Sequence, residues 1–196
     1  MRKTKEDAEK TRKQLLDAAY DVFLEQGYDA ATIAEIAGRA QLTRGAVYWH
    51  FKNKEEVFIA VVEQALNDQQ DKKIAYTQSS EMTVGEKLKA ILALPLEMAE
   101  SYRLVNSVPE LSARIPAFLD VLHLLQERKQ NLRRFFKEFL TEHTQDGSIR
   151  LHGNVDTAAL MLFVIFEGLY YHGTEQSDIC VDNLEDFLSV IMDFPA

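Results

Sequence analysis

Between residues 15 and 51 the apolar positions fall into short stripes with helical spacing. Leu15, Ala19, Val22 and Phe23 recur at i, i+4, i+7, i+8, which predicts a helix with one buried face. Gly27 ends it, because glycine tolerates the left-handed backbone that follows a last helical turn. Ile33, Ile36, Ala37 and Ala40 repeat the pattern, and Thr32 with Glu35 makes a T-x-x-E capping box at its start. After a break at Gln41-Leu42, Thr43 is placed as N-cap of a third helix over 44–50.

Longer elements follow. Asn53 and Glu56 cap a fourth helix from Lys54, with Val57, Val61, Val62, Ala65 and Leu66 on its apolar side. Thr83 and Glu86 form a second capping box, opening a helix predicted to reach about Tyr102. Residues 106–114 read as a short helix punctuated by proline. A long helix after Pro116 runs to about His143, with Phe118, Leu122, Leu125, Leu132, Phe135, Phe136 and Phe139 inward. A turn at 145–148 precedes "NVDTAALMLFVIFEGLYYHG", a segment apolar all round and so predicted to be buried on both faces. One face carries Leu160, Phe163, Val164, Glu167 and Tyr171; the other carries Met161, Ile165, Gly168 and His172. A last helix, capped by Asp182 and Glu185, runs through Phe187, Leu188, Ile191 and Met192. With 8 Gly and 4 Pro in 196 residues and no alternating run that compels a strand, the fold class is all-α. It divides into a three-helix head over 1–53 and a larger helical body over 54–196.

Charge sharpens that division. The net charge is −9, but residues 1–54 hold 10 Lys/Arg against 8 Asp/Glu, leaving a mildly basic head on an acidic body. Only the head suits a polyanion. The one cysteine, Cys180, excludes an intramolecular disulfide and a cysteine-based metal site. The charged start has no apolar core of a secretory signal. The longest apolar run, Ala158–Phe166, falls short of the about 20 residues that span a bilayer. A soluble cytoplasmic protein with no membrane partner is expected. No phosphate-binding or dinucleotide-binding glycine motif and no H-E-x-x-H is present, and the five histidines are dispersed. No catalytic residue, cofactor or metal is expected.

The stretch "LTRGAVYWHF" (42–51) carries the chemistry. At 100° per residue Val47 and Phe51 share one side and can pack inward, while Gly45 and Trp49 project nearly opposite, with Tyr48 on the flank. Glycine inside a helix costs about 1 kcal/mol relative to alanine, and close approach of backbone to a ligand is a reason to keep it. A helix, a break and a second helix that presents Arg, Gly, Tyr, Trp and His outward suit a helix-turn-helix reading of DNA. Packing of Tyr48 and Trp49 on another protein helix is the competing reading.

Residues from about 10 to 58, through "TRKQLLDAAYDVFLEQGYDAATIAEIA" and "LTRGAVYWHFKNKEEVF", resemble the TetR family of bacterial transcriptional repressors, in its AcrR-like branch of multidrug efflux regulators. The resemblance implies base contacts from Arg44 and Gly45. It implies phosphate contacts from Thr43, Tyr48 and His50, a phosphate or thymine-methyl contact from Trp49, and further phosphate contacts from Thr32 and Lys54. The family's turn glycine is Gln41 here, so either Gln41 takes a strained positive φ or the turn differs.

In the body, Glu167 interrupts an apolar helix, and a buried carboxylate is costly unless paired. It lines a ligand pocket, is neutralised by a nearby Arg or Tyr, or looks into the dimer seam. Leu66, Asn106, Glu110, His123, Gln126, Phe163, Phe166 and Tyr171 are the accompanying pocket candidates. Two apolar helices from each of two copies would make a four-helix interface, and the resemblance implies such a homodimer, which two half-sites also favour; the core hairpin of a monomer is the competing reading. The expected function is a ligand-responsive repressor. As a dimer it binds double-stranded palindromic operator DNA, controls a multidrug efflux gene and its own, and is released by a hydrophobic small-molecule inducer, cationic ones included. The alternative is a constitutive DNA-binding regulator or activator without small-molecule release.

Overall fold

The computed structural model describes residues 5–172 and 183–195. The three head helices are α1 (Lys5–Ala30), α2 (Ile33–Arg39) and α3 (Arg44–His50). Gly27, at φ 75 and ψ 171, breaks the regular geometry of α1, and the chain adds one more turn through Ala30. Thr32 caps α2 with the full reciprocal capping box, and Thr43 Oγ1 accepts from Ala46 N at the start of α3. Gln41 takes φ 54, the one non-glycine residue with positive φ among the described residues. Its own N–H donates to Gly38 O at 3.0 Å, and the Leu42 N–H donates to Ala37 O at 2.9 Å. These two bonds form a Schellman ending, so satisfied terminal carbonyls offset the backbone cost at Gln41.

The body begins with α4 (Lys54–Gln78), followed by α5 (Val84–Glu97), α6 (Ala99–Asn106) and α7 (Val108–Ser112). A 3-10 turn (Pro116–Phe118) leads into α8 (Leu119–Gln145), and then come α9 (Val155–His172) and α10 (Leu184–Ile191). Two-residue strands β1 (Arg150–Leu151) and β2 (Met192–Asp193) pair antiparallel, Arg150 opposite Asp193. The helix opened by Thr83 ends at Glu97 rather than near Tyr102. Met98 leaves helical geometry (φ −113, ψ 35) three residues after Pro95, whose missing N–H already removes one bond from the ladder. The N-cap position of α10 is Asn183, and Met192 belongs to β2 rather than to the helix. Asp182 and Cys180 lie outside the described residues.

Two apolar clusters form the interior. The first joins Leu15, Val22, Ile36, Val47 and Phe51 of the head to Phe58, Val62 and Leu66 of α4 and onward to Val105, Val108 and Phe118. Phe58 is its hinge, with the rings of Phe23, Tyr28 and Phe118 each within 5.2 Å centroid to centroid. The head therefore shares its core with the body, and no seam in the packing falls at residue 53. The second cluster joins Leu88, Ile91 and Leu92 of α5 to Phe136 and Leu140 of α8, Leu162 of α9 and Leu188 of α10. Fully burying each such side chain is worth about 1.5–3 kcal/mol.

One chain by itself does not bury both faces of α9. Ala158, Ala159, Leu162, Phe166 and Leu169 are buried, while Leu160, Met161, Val164 and Tyr171 are exposed, Val164 at 59%. On α10, Phe187 and Val190 are exposed as well. Among the described residues no helix is long and apolar enough to cross a membrane.

Candidate nucleic-acid interface and ligand cavity

α3 is short, and its orientation rests on few residues. Val47 and Phe51 are buried against α1 and α2, and Arg12 of α1 places its guanidinium 5.4 Å from the centre of the Phe51 ring. That leaves Arg44, Gly45, Tyr48 and Trp49 on the surface, with Tyr48 49% and Trp49 69% exposed. The His50 ring stands edge-on to Trp49 at 4.5 Å. A Cβ built on Gly45 would meet only Thr43 Oγ1, at 3.7 Å, an ordinary contact. Nothing in the fold requires glycine there. The Thr43 oxygen accepts from Ala46 N and keeps its proton for an external acceptor.

Two residues assigned to phosphate are committed elsewhere. The Thr32 hydroxyl and backbone N–H both donate to Glu35 Oε2, at 2.7 and 2.9 Å. The Lys54 ammonium points back into the head and donates to the carbonyls of Tyr28 (2.6 Å), Ala31 (3.0 Å) and Asp29 (3.2 Å), over the Tyr28 ring. A cation near terminal helical carbonyls is favourable. Lys54 thus closes α1 onto α4, and its side chain is not turned outward to a phosphate.

In the body a cavity of about 400 Å³ opens between α4, α5, α6, α8 and α9. Leu66, Leu94, Val105, Leu125, Leu132 and Phe166 form its apolar wall, and Tyr102 and Tyr170 stand edge-on to each other at 5.0 Å. Burial pushes the ionisation of both phenols up, so they remain neutral hydroxyls. Of the sequence candidates, Leu66, Phe166 and Glu167 line this space. Asn106 instead donates to Tyr170 O at 3.1 Å, tying α6 to α9. Glu110, His123 and Gln126 are exposed and outside the lining, because the cavity-facing side of α8 runs through Leu125, Arg128 and Leu132. Phe163 packs against the second core cluster, and Tyr171 is turned outward.

Besides Glu167, the polar lining includes Gln69, Gln70, Lys73, Glu127, Arg128, Lys129 and Asn131, none of them a candidate from the sequence. Their signal was present, since Gln69 and Lys73 continue the Leu66 stripe of α4 at i+3 and i+7, and Arg128 lies between Leu125 and Leu132. Lys129 Nζ pairs with Glu167 Oε2 at 2.6 Å and donates to the Tyr171 hydroxyl at 2.9 Å. Burial opposes the charge on Lys129, but those two partners more than offset it and raise its pKa. Glu167 therefore both lines the cavity and is neutralised by a neighbour.

Residues 15–61 match the family model described as bacterial regulatory proteins, tetR family. The HTH-type transcriptional repressor BepR of Brucella suis biovar 1 (strain 1330) is 26% identical over 206 residues, across 100% of this chain and 97% of its own. The HTH-type transcriptional regulator AcrR of Shigella flexneri is 30% identical over 131 residues, 67% of this chain and 61% of its own. Among solved structures the SmeT–triclosan complex superposes with a TM-score of 0.65 at 23% identity, over 94% of this chain and 92% of that one, a likeness of fold.

Proposed function

The chain belongs to the TetR family of bacterial transcriptional regulators, and from that premise we propose that it is a ligand-released repressor acting as a homodimer on a palindromic operator. Arg44 and Gly45 meet base edges, and Thr43, Tyr48, Trp49 and His50 hold the flanking backbone. The exposed apolar residues of α9 and α10 are covered by the same residues of a second copy, which places two heads on two half-sites. The gene it controls, besides its own, is an efflux gene. The observation that carries this reading is the outward Arg-Gly-Tyr-Trp face of α3, held by the buried pair Val47 and Phe51. α4 supports the regulatory half. Lys54 at one end grips the head, while Leu66, Gln69 and Lys73 line the cavity. A bound molecule acts through its differential affinity for the two arrangements of that helix. The inducer is an apolar molecule. Because Lys129 already neutralises Glu167, the carboxylate gives no basis for preferring a cation.

The test is fluorescence anisotropy of labelled DNA from immediately upstream of the gene, against a scrambled duplex at one salt concentration. Tight binding to the first alone is expected, with two chains per duplex by sedimentation. Arg44→Ala should lose about 1–3 kcal/mol and relax specificity at one base position. Equal, weak, salt-sensitive binding to both duplexes would reject the repressor reading. Specific binding that no apolar compound relieves would leave a constitutive regulator.

A further inference from the structure

The cavity's charge is unexplained by its role as an apolar pocket. Three cationic side chains line it, and only one has a carboxylate partner. Lys129 is held by Glu167 at 2.6 Å. Arg128 donates to Leu66 O at 2.7 Å and to Asn67 Oδ1 at 3.3 Å, both neutral acceptors, so its charge stays uncompensated. Lys73 is half-buried on α4 and makes no ion pair among the described residues. Its ammonium lies 4.9 Å from the centre of the Phe135 ring. Burial, and then the nearby Arg128, lower its pKa, which is the mark of a cation held without a counter-charge. The remaining carboxylate of the lining, Glu127, is exposed to solvent.

Two adjacent uncompensated cations on the wall of an apolar cavity weaken the empty fold, because each loses water without gaining an anion. A ligand that brings a negative charge removes that penalty. We propose that the cavity selects an amphipathic organic anion, its carboxylate or sulfate head at Lys73 and Arg128 and its apolar body along Leu94, Val105, Leu125 and Phe166. This rests on the cavity being the inducer site and adds the sign of the charge that it takes. The Lys129–Glu167 pair closes the α9 side, so the anion meets a neutralised carboxylate rather than a repelling one.

The experiment uses the full chain and a neutral apolar dye, N-phenyl-1-naphthylamine, displaced by four ten-carbon competitors below micellar concentrations. These are decanoate, decyl sulfate, decanol and decyltrimethylammonium. The two anions should compete at about tenfold lower concentration than the alcohol and the cation, the scale of one charge-assisted hydrogen bond. Lys73→Met should cut that advantage to what Arg128 alone supplies and leave decanol unchanged, and Lys73→Arg should keep it. Dye binding with decanol or the cation competing as well as decanoate would overturn the anion preference while the cavity reading stands. An anion advantage undiminished in Lys73→Met would overturn the assignment to Lys73. Failure of the dye and of every competitor to bind would remove both.

Discussion

A methyl group at Gly45 has room, since only Thr43 Oγ1 lies near it, at 3.7 Å. The helix would gain from it, and the proposed DNA backbone approach would lose. Gly45→Ala should therefore raise unfolding stability by up to about 1 kcal/mol while weakening operator binding, as read by urea unfolding and anisotropy. Unchanged operator affinity would mean that α3 does not bring its backbone close to DNA. Lys54 is the opposite case. With three carbonyls on its ammonium, Lys54→Met should lower stability on the order of 1 kcal/mol and leave the salt dependence of DNA binding unaltered. A salt slope flattened by about 1 would instead put the ammonium on a phosphate. Local rules made Thr32, Thr43 and Gln41 legible, because caps and turns depend on near neighbours in sequence. The direction of Lys54 was not legible, because its partners lie 23 to 26 residues away.

Helical periodicity located most elements, and it placed α3 from Arg44 to His50, because two inward residues and one cap suffice to define so short a helix. It failed at two places. The break at Met98 has no glycine to mark it, with Pro95 three residues earlier, and the faces of α9 could not be separated in a segment apolar on every side. Pocket residues on α8 were missed by its rotation: Gln126 and His123 face water while Arg128 and Lys129 face the cavity. The β1–β2 clasp had no signal in two residues a side, yet it closes the C-terminal end. Asp193 takes Arg150 at 2.9 Å and His152 at 3.2 Å. The Asp193 bond, and then the Val190 carbonyl, raise the pKa of His152, while His152 and Arg150 lower that of Asp193. The clasp contributes fully above the ordinary aspartate value and below the ordinary imidazole value, and it weakens as pH rises through the raised pKa of His152. Melting of the native chain against His152→Gln should differ most near about pH 5.5 and converge in alkali. A difference that does not change with pH would show that the charge on His152 has no part in it.

At the scale of the molecule, the head and the cavity are joined by shared packing rather than by a linker. α4 rises about 28 Å from Lys54 to Lys73, and Phe58 at its head end stacks among Phe23, Tyr28 and Phe118. Arg114 forks onto Asp29 as a second tie, from the loop after α7 to the end of α1. In the proposed repressor, movement of α4 by a molecule in the cavity would be delivered to the spacing of two heads. In the proposed repressor the cavity and the DNA-binding face share one equilibrium. Linkage requires each ligand to change the affinity of the other by the same factor. The direct measurement is the affinity of the neutral dye for the free protein and for the protein saturated with its operator. Dye binding should be weaker on the operator, and, with one cavity in each of two chains, saturating dye should weaken operator binding by the square of that per-site factor. Equal dye affinity in both states would contradict that linkage and leave the cavity without a part in DNA release.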